Sequence, residues 1–298
     1  MRDHYIERAN ANANSTFVGP ARRFTRWDYF SIAFSSLVFV ALVCAFLANR
    51  FNGLPYEPDF ADLGLILAPP GTPQHLLGTD FFGRDLATRL IASVDAYFLP
   101  ALSAVALSVL LGTLLGLVAG MRGGWSALLA RYFCTLVEAS PRLILILFAV
   151  TLYQPDIFHI MLIVGLTGFP ALATQLQLRI RTLREQSFFD AALASGVSLP
   201  RVFLTNLLWH HCRPLFLIHA SQAMGEAILI ETSLSYLGFG VQEPTPSWGN
   251  MVQTGSDYLL QGNFWPSTLP ALAIAISLLA FYLFADVYER RSREQSRA

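Results

Sequence analysis

One apolar run constrains this chain more than any other feature. It begins at about Phe30 and continues through residue 49 as FSIAFSSLVFVALVCAFLAN, with no charged side chain. About 20 residues of helix cross the hydrocarbon core of a bilayer. The run therefore predicts a transmembrane helix over 28–49. No small-residue cleavage site of the A-x-A type follows it, so it reads as an uncleaved span and not as a removed signal. Further spans are expected near 96–120, 127–152, 157–176, 214–238 and 266–287, giving an all-α membrane protein with six transmembrane helices. Composition agrees: 54% of residues are hydrophobic and 13% charged, against about 25% charged in an average soluble domain.

The segments divide accordingly. Residues 1–27 form a polar tail with Asn-Ala repeats, closed by Arg22, Arg23 and Arg26 before the first span. Residues 50–95 form a long loop, 96–287 a core of five spans containing a second loop at 178–213, and 288–298 a tail. Arginine placement orients the whole. With the N-terminus inside, 16 of the 20 arginines fall in cytoplasmic segments; only Arg50, Arg84 and Arg89 fall outside, and Arg142 lies within a span. The positive-inside rule thus predicts both termini in the cytoplasm. The first half of the outer loop carries Pro55, Pro58, Pro69, Pro70 and Pro73 and is expected to be irregular. Its second half, GRDLATRLIASV (83–94), has helical apolar spacing and predicts an amphipathic helix on the outer membrane surface. Gly112, Gly116 and Gly120 recur every four residues on one helix face, which predicts close approach of another helix.

Several chemistries are excluded. Every basic residue is arginine, and without lysine no standard phosphate-binding P-loop or Schiff base can form. Net charge is zero, so no overall field points to nucleic acid. Cys44, Cys134 and Cys212 are far apart in or beside apolar runs and read as small buried hydrophobes. His210, His211 and His219 lack chelating spacing, so no metal site is expected, and neither H-E-x-x-H nor G-x-S-x-G occurs.

One stretch on the basic side looks soluble: DAALASGVSLPRVFLTN, residues 190–206. Ser187 stands three residues before Asp190 in capping-box spacing. Phe188, Phe189, Ala191, Ala192 and Leu193 make an apolar body, and Gly196 can end the helix in the left-handed conformation. Ser198 and Pro200 suit the start of a second helix. From Ser187 to Ser195 the helix is about 12 Å long, too short to cross a membrane. Its apolar face must be covered by its own bundle, by membrane lipid or by a groove on a partner protein.

At these residues the chain resembles the ABC-importer permeases. Asp190, Ala191, Ala192 and Gly196 match the family's E-A-A, three residues, glycine pattern, with Asp in place of Glu and Trp209 where a proline would follow Leu208. HLLGTDFFGRDLATRLI (75–91) resembles the H-x-L-G-T-D-x-x-G-R-D block of the dipeptide/oligopeptide/nickel branch, with Gly78, Thr79, Asp80, Gly83, Arg84 and Asp85 at the matching positions. ETSLSYLGFGVQEPTPSWGNMV (231–252) resembles a second block of that branch and includes Pro244, Pro246 and Trp248. The resemblance covers about residues 20–290 and is to the C-type subunit. It implies a type I ABC-importer permease fold in which Ser187, Phe188, Phe189, Asp190, Ala191, Ala192, Ser195, Gly196 and Pro200 form a cytoplasmic coupling helix and its exit turn. The implied partners are a second homologous permease, two ABC ATPases that bind ATP and Mg, and an extracytoplasmic substrate-binding protein that meets the outer loops. The chain itself would be non-catalytic, hold no cofactor and move peptides by alternating access. Nickel or antimicrobial peptides are the alternative cargo. An ion-coupled secondary transporter would show paired broken helices in corresponding halves, and no such repeat is found.

Ionisable groups within spans ask for a function. Glu138 and Arg142 lie at i, i+4 and can pair within one helix, although Pro141 between them loosens the ladder. Glu226 and Glu231 are separated by about 140° around a helix and are expected to meet different neighbours. All four are candidates for the translocation path, with a buried structural role as the alternative. Trp248 with Pro244 and Pro246 reads as an interfacial aromatic beside a rigid turn. Asp286 resembles the family's Gly-Asp pair, with Ala285 in place of the glycine.

Overall fold

The structure is a computed structural model and describes residues 24–122, 124–153, 156–185, 189, 194–196 and 212–297. Among these residues the regular structure is helical: α1 Arg26–Arg50, α2 Leu86–Arg122, α3 Gly124–Ala139, α4 Arg142–Tyr153, α5 Ile157–Arg184, α6 Arg213–Tyr236, α7 Trp248–Ser256 and α8 Trp265–Arg297. Four of these, α1, α2, α5 and α8, are long and apolar enough to cross a membrane, and α3 with α4 makes a fifth if the bent pair is one span. α6 is long enough, but it carries His219, Glu226 and Glu231. It compensates by burial: Met224, Ala227, Ile228 and Leu234 sit in the main core with Tyr97 and Ala101 of α2, Ile146 of α4 and Met161 of α5.

Local chemistry sets the helix ends. Thr25 and Asp28 form a reciprocal capping box at α1, with Thr25 N–H donating to Asp28 at 2.9 Å and Asp28 N–H donating to Thr25 Oγ1 at 3.2 Å. Asp156 caps α5 by accepting from the N–H groups of Phe158 and His159 at 2.7 and 3.2 Å.

The predicted glycine seam is present and joins α2 to α5. A Cβ at Gly112 would stand 2.9 Å from Leu172 Cβ, at Gly116 2.9 Å from the Ala173 carbonyl oxygen, and at Gly120 2.9 Å from Ile180 Cβ. α5 answers with Gly165 against Ala104 and Gly168 against Ser108. Residue numbers rise together along both helices, so α2 and α5 run parallel. Small residues on both faces allow the approach that dispersion forces need when water supplies no drive.

Two expectations about helix extent are corrected. No separate surface helix occupies 83–94. α2 is one helix of 37 residues, about 55 Å long at 1.5 Å per residue, against about 30 Å of hydrocarbon. Its first turns therefore extend past the membrane core, and Leu86, Thr88, Arg89, Ser93 and Val94 are all buried by protein. Reading that stretch as amphipathic overlooked partners for its polar face. Residues 127–152 are likewise not one straight helix. They break at Ser140–Pro141, with a 72° bend between α3 and α4, because proline lacks an N–H and disfavours helix at the preceding residue.

Candidate functional site

Among the described residues, a dense polar network joins the two sequence blocks 75–91 and 231–252. Gly78 has φ +80°, and a Cβ there would stand 2.4 Å from the Ala68 carbonyl oxygen. Thr79 is fully buried: its hydroxyl accepts from Ala68 N–H at 2.8 Å and also bonds the Leu65 carbonyl, and its own carbonyl accepts from the Trp265 indole at 3.1 Å. Gly83 has φ +78°, and a Cβ would lie 2.0 Å from the Asp62 carbonyl oxygen. Asp85 precedes α2 directly. It accepts from Thr88 N–H at 2.8 Å and Oγ1 at 2.7 Å, and meets His75 Nδ1 at 2.9 Å. The loop is thus folded by its own turns and then capped onto α2.

Charge closes the two blocks on each other. Asp80 accepts from Phe82 N–H, Arg84 N–H and Arg84 Nε at 2.8, 2.9 and 2.6 Å. Arg84 then reaches Glu243 at 2.8 Å, and its guanidinium lies 4.6 Å from the centre of the Phe82 ring. Burial alone would lower the Arg84 pKa, but hydrogen bonds and charge from Glu243 and Asp80 outweigh it and hold the pKa above the ordinary value. Arg89, with its side chain 1% exposed, bonds both oxygens of Glu243 at 3.1 Å and the carbonyls of Pro58 and Pro244 at 3.1 and 3.3 Å.

The second block is built to receive them. Ser247 and Asn250 form a capping box at α7, and Asn250 Nδ2 donates to the carbonyls of Val241 and Thr245 at 3.2 and 2.9 Å. Pro246 is buried beneath them. Glu231, fully buried at the outer end of α6, accepts from Ser235 Oγ at 2.7 Å, and that hydroxyl accepts from Val241 N–H at 2.9 Å. Trp248 is not an interfacial aromatic. It is 3% exposed, donates to the Leu90 carbonyl at 3.0 Å, and its ring centre is 5.2 Å from that of Tyr97. It anchors the loop to α2, not to the bilayer.

The four ionisable residues read in the spans separate. Glu138 is exposed on α3 and does not pair with Arg142. The break at Ser140–Pro141 removes the helical register that would bring them together. Arg142 instead forms an ion pair with Glu226 across α4 and α6, with side chains 27% and 40% exposed. Glu226 and Glu231 do face different neighbours.

Beyond the C-terminal end of α5, Phe189 is buried against Leu176, Ile180 and Leu183 of α5 and Cys212. Ser195 and Gly196 are exposed, and Gly196 takes φ +79° with open space around it. Ser187, Phe188, Asp190, Ala191, Ala192 and Pro200 lie outside the described residues.

Sequence reading did not single out Glu243, Arg89 or Asn250 as site residues. A signal existed: all three arginines that the topology reading left outside, Arg50, Arg84 and Arg89, stand in the 50–95 loop, and Glu243 stands in another loop that holds no arginine.

Comparison with known proteins adds to this geometry. Residues 112–294 match the family described as binding-protein-dependent transport system inner membrane component. The chain is 31% identical over 261 residues to a di/tripeptide transport system permease protein, DppC, of Pseudomonas aeruginosa, covering 85% of each chain. It is 31% identical to a probable D,D-dipeptide transport system permease protein of Escherichia coli, over 78% of this chain and 76% of the other. It is 27% identical to the oligopeptide transport system permease protein OppC of Haemophilus influenzae, over 94% of this chain and 89% of the other.

Proposed function

Because the chain belongs to the family of binding-protein-dependent transport system inner membrane components, we propose that it is the permease subunit of an ATP-driven importer of di- or oligopeptides. The observation that carries the reading is that the chain shares most of its length with permeases named for peptide systems. It works beside a second permease, two ATPases and an extracytoplasmic binding protein. α6 and the α3–α4 pair are counted as spans here, which makes six with both termini in the cytoplasm, in keeping with the arginine bias.

Three features support a mechanism. The outer blocks, tied by Arg84, Arg89 and Glu243, form one rigid extracytoplasmic surface for the binding protein. Ser187 to Pro200 form the helix on which the ATPase acts; Phe189, seated against α5, passes that push to the bundle, and Gly196 supplies the exit turn. The glycine seam makes α2 and α5 move as one body. Hydrolysis of ATP takes place on the partner chains, and this chain converts closure of the ATPases into alternating access.

The test is reconstitution of the five-subunit complex in proteoliposomes. ATP-dependent accumulation of a labelled dipeptide or tripeptide is expected, with none when this chain is omitted. Accumulation that persists without hydrolysable ATP, or a chain that copurifies with no ATPase in mild detergent, contradicts the reading.

A further inference from the structure

Arg142 and Glu226 occupy an unusual place for charge. Arg142 opens α4 directly after the 72° break. Glu226 lies 13 residues beyond Arg213, the first residue of α6, which is about 20 Å along the helix at 1.5 Å per residue and so deep in a membrane-sized span. Both helices pack on the core close to their charges: Ile146, one turn beyond Arg142 on the same side of α4, and Ala227 and Ile228, next to Glu226, are buried there. The charged pair itself is part-exposed in this subunit. Ion pairs at such depth are retained where they face protein or water and not hydrocarbon. A part-exposed pair at that depth is placed to meet a neighbouring subunit or water.

On the peptide-importer reading, on which this rests, we propose that Arg142 and Glu226 form a separable ion pair on the wall of the translocation path and read the charges of the passing peptide. The chemistry is complementary. A free peptide carries an ammonium at one end and a carboxylate at the other. Opening one ion pair to form two leaves no charge unpaired at any stage. The guanidinium fork takes a carboxylate through two parallel N–H bonds, and Glu226 takes an ammonium. Side-chain charges on the peptide meet the same two groups, so removing either one biases passage by sign.

The experiment measures ATP-dependent uptake of Ala-Asp-Ala and Ala-Lys-Ala by the complete complex, at matched amounts of this chain. Glu226→Gln leaves only the cation on the wall, and the ratio of Ala-Asp-Ala to Ala-Lys-Ala uptake is expected to rise at least about tenfold, since like charges in close contact are strongly disfavoured. Arg142→Gln is expected to lower the ratio by a similar factor, and Glu226→Asp to keep it at the wild-type value. A folding defect lowers both peptides together. An unchanged ratio in both glutamine variants, or the same shift in both, overturns the proposal while leaving the importer reading intact. Failure of the wild-type complex to take up either peptide removes both readings.

Discussion

Arg84 and Glu243 meet at 2.8 Å across 159 residues of sequence. The contact joins the loop before α2 to the loop after α6, and Arg89 shares the same carboxylate from the first turn of α2. One acidic side chain thus bridges two guanidinium groups that are almost entirely buried, and Asp80 supplies the second buried negative charge. Glu243→Ala leaves both without it. Breaking a buried pair from one side costs about 3–5 kcal/mol. The variant is expected to unfold at clearly lower temperature in detergent and to expose the 50–85 loop to protease. A melting curve that overlays the wild type would show that the network does not hold the loops.

Gly83 and Gly71 offer a controlled comparison. Both have positive φ, +78° and +87°, but a Cβ at Gly83 would collide with the Asp62 carbonyl whereas nothing lies within 4 Å at Gly71. Alanine at either site carries the left-handed penalty of about 1–2 kcal/mol. Gly83→Ala must also displace backbone, and is expected to lose substantially more stability than Gly71→Ala by thermal unfolding. Equal losses would mean that the loop relaxes around residue 83.

Gly116→Leu tests the helix seam. A Cβ alone would stand 2.9 Å from both the Ala173 carbonyl and Leu176 Cβ. Overpacking costs about 1–3 kcal/mol or more, and this side chain has no void to enter. The yield of monodisperse protein is expected to fall sharply. Leu114→Ala, at a position 52% exposed on the same helix, is the control and is expected to be close to neutral.

Gly196→Pro tests coupling. Proline requires φ near −65°, and Gly196 has φ +79°. The exit turn cannot form, so peptide uptake is expected to be lost while membrane insertion and the amount of protein are retained. Phe189→Ala is expected to act in the same direction, with ATP hydrolysis continuing without transport, because the side chain that seats the loop on α5 is gone. Wild-type uptake in both variants would remove the coupling assignment.

The cap of α5 has a pH signature. Burial acting alone would raise the Asp156 pKa, but hydrogen bonds from the backbone of His159 and Phe158, with the His159 side chain, together outweigh it and hold the pKa below the ordinary value. A depressed carboxylate stabilises the fold at pH above its unfolded value, about 3.9, and loses that contribution as pH falls through the lower folded value. The difference in melting temperature between wild type and Asp156→Ala is therefore expected to be full at neutral pH and to shrink only in strong acid. A gap that closes already between pH 7 and 5 would point to another group.

Much of this protein was written along the chain. The apolar run from about Phe30, the repeat of Gly112, Gly116 and Gly120, and the arginine bias are local or periodic signals, and a bilayer acts on them one segment at a time. The helical class, the close-approach face on α2 and the family resemblance all follow from such signals. Pairings between distant residues do not. Whether Arg142 met Glu138 four residues away or Glu226 on another helix turned on a break at Ser140–Pro141 and on how α4 packs against α6. Whether 86–94 lay on lipid or continued α2 turned on Glu243 and Trp248 arriving from the other outer loop to cover its polar face. A single buried charge commits its partner wherever the chain can bring one, and only the folded bundle fixes which partner arrives.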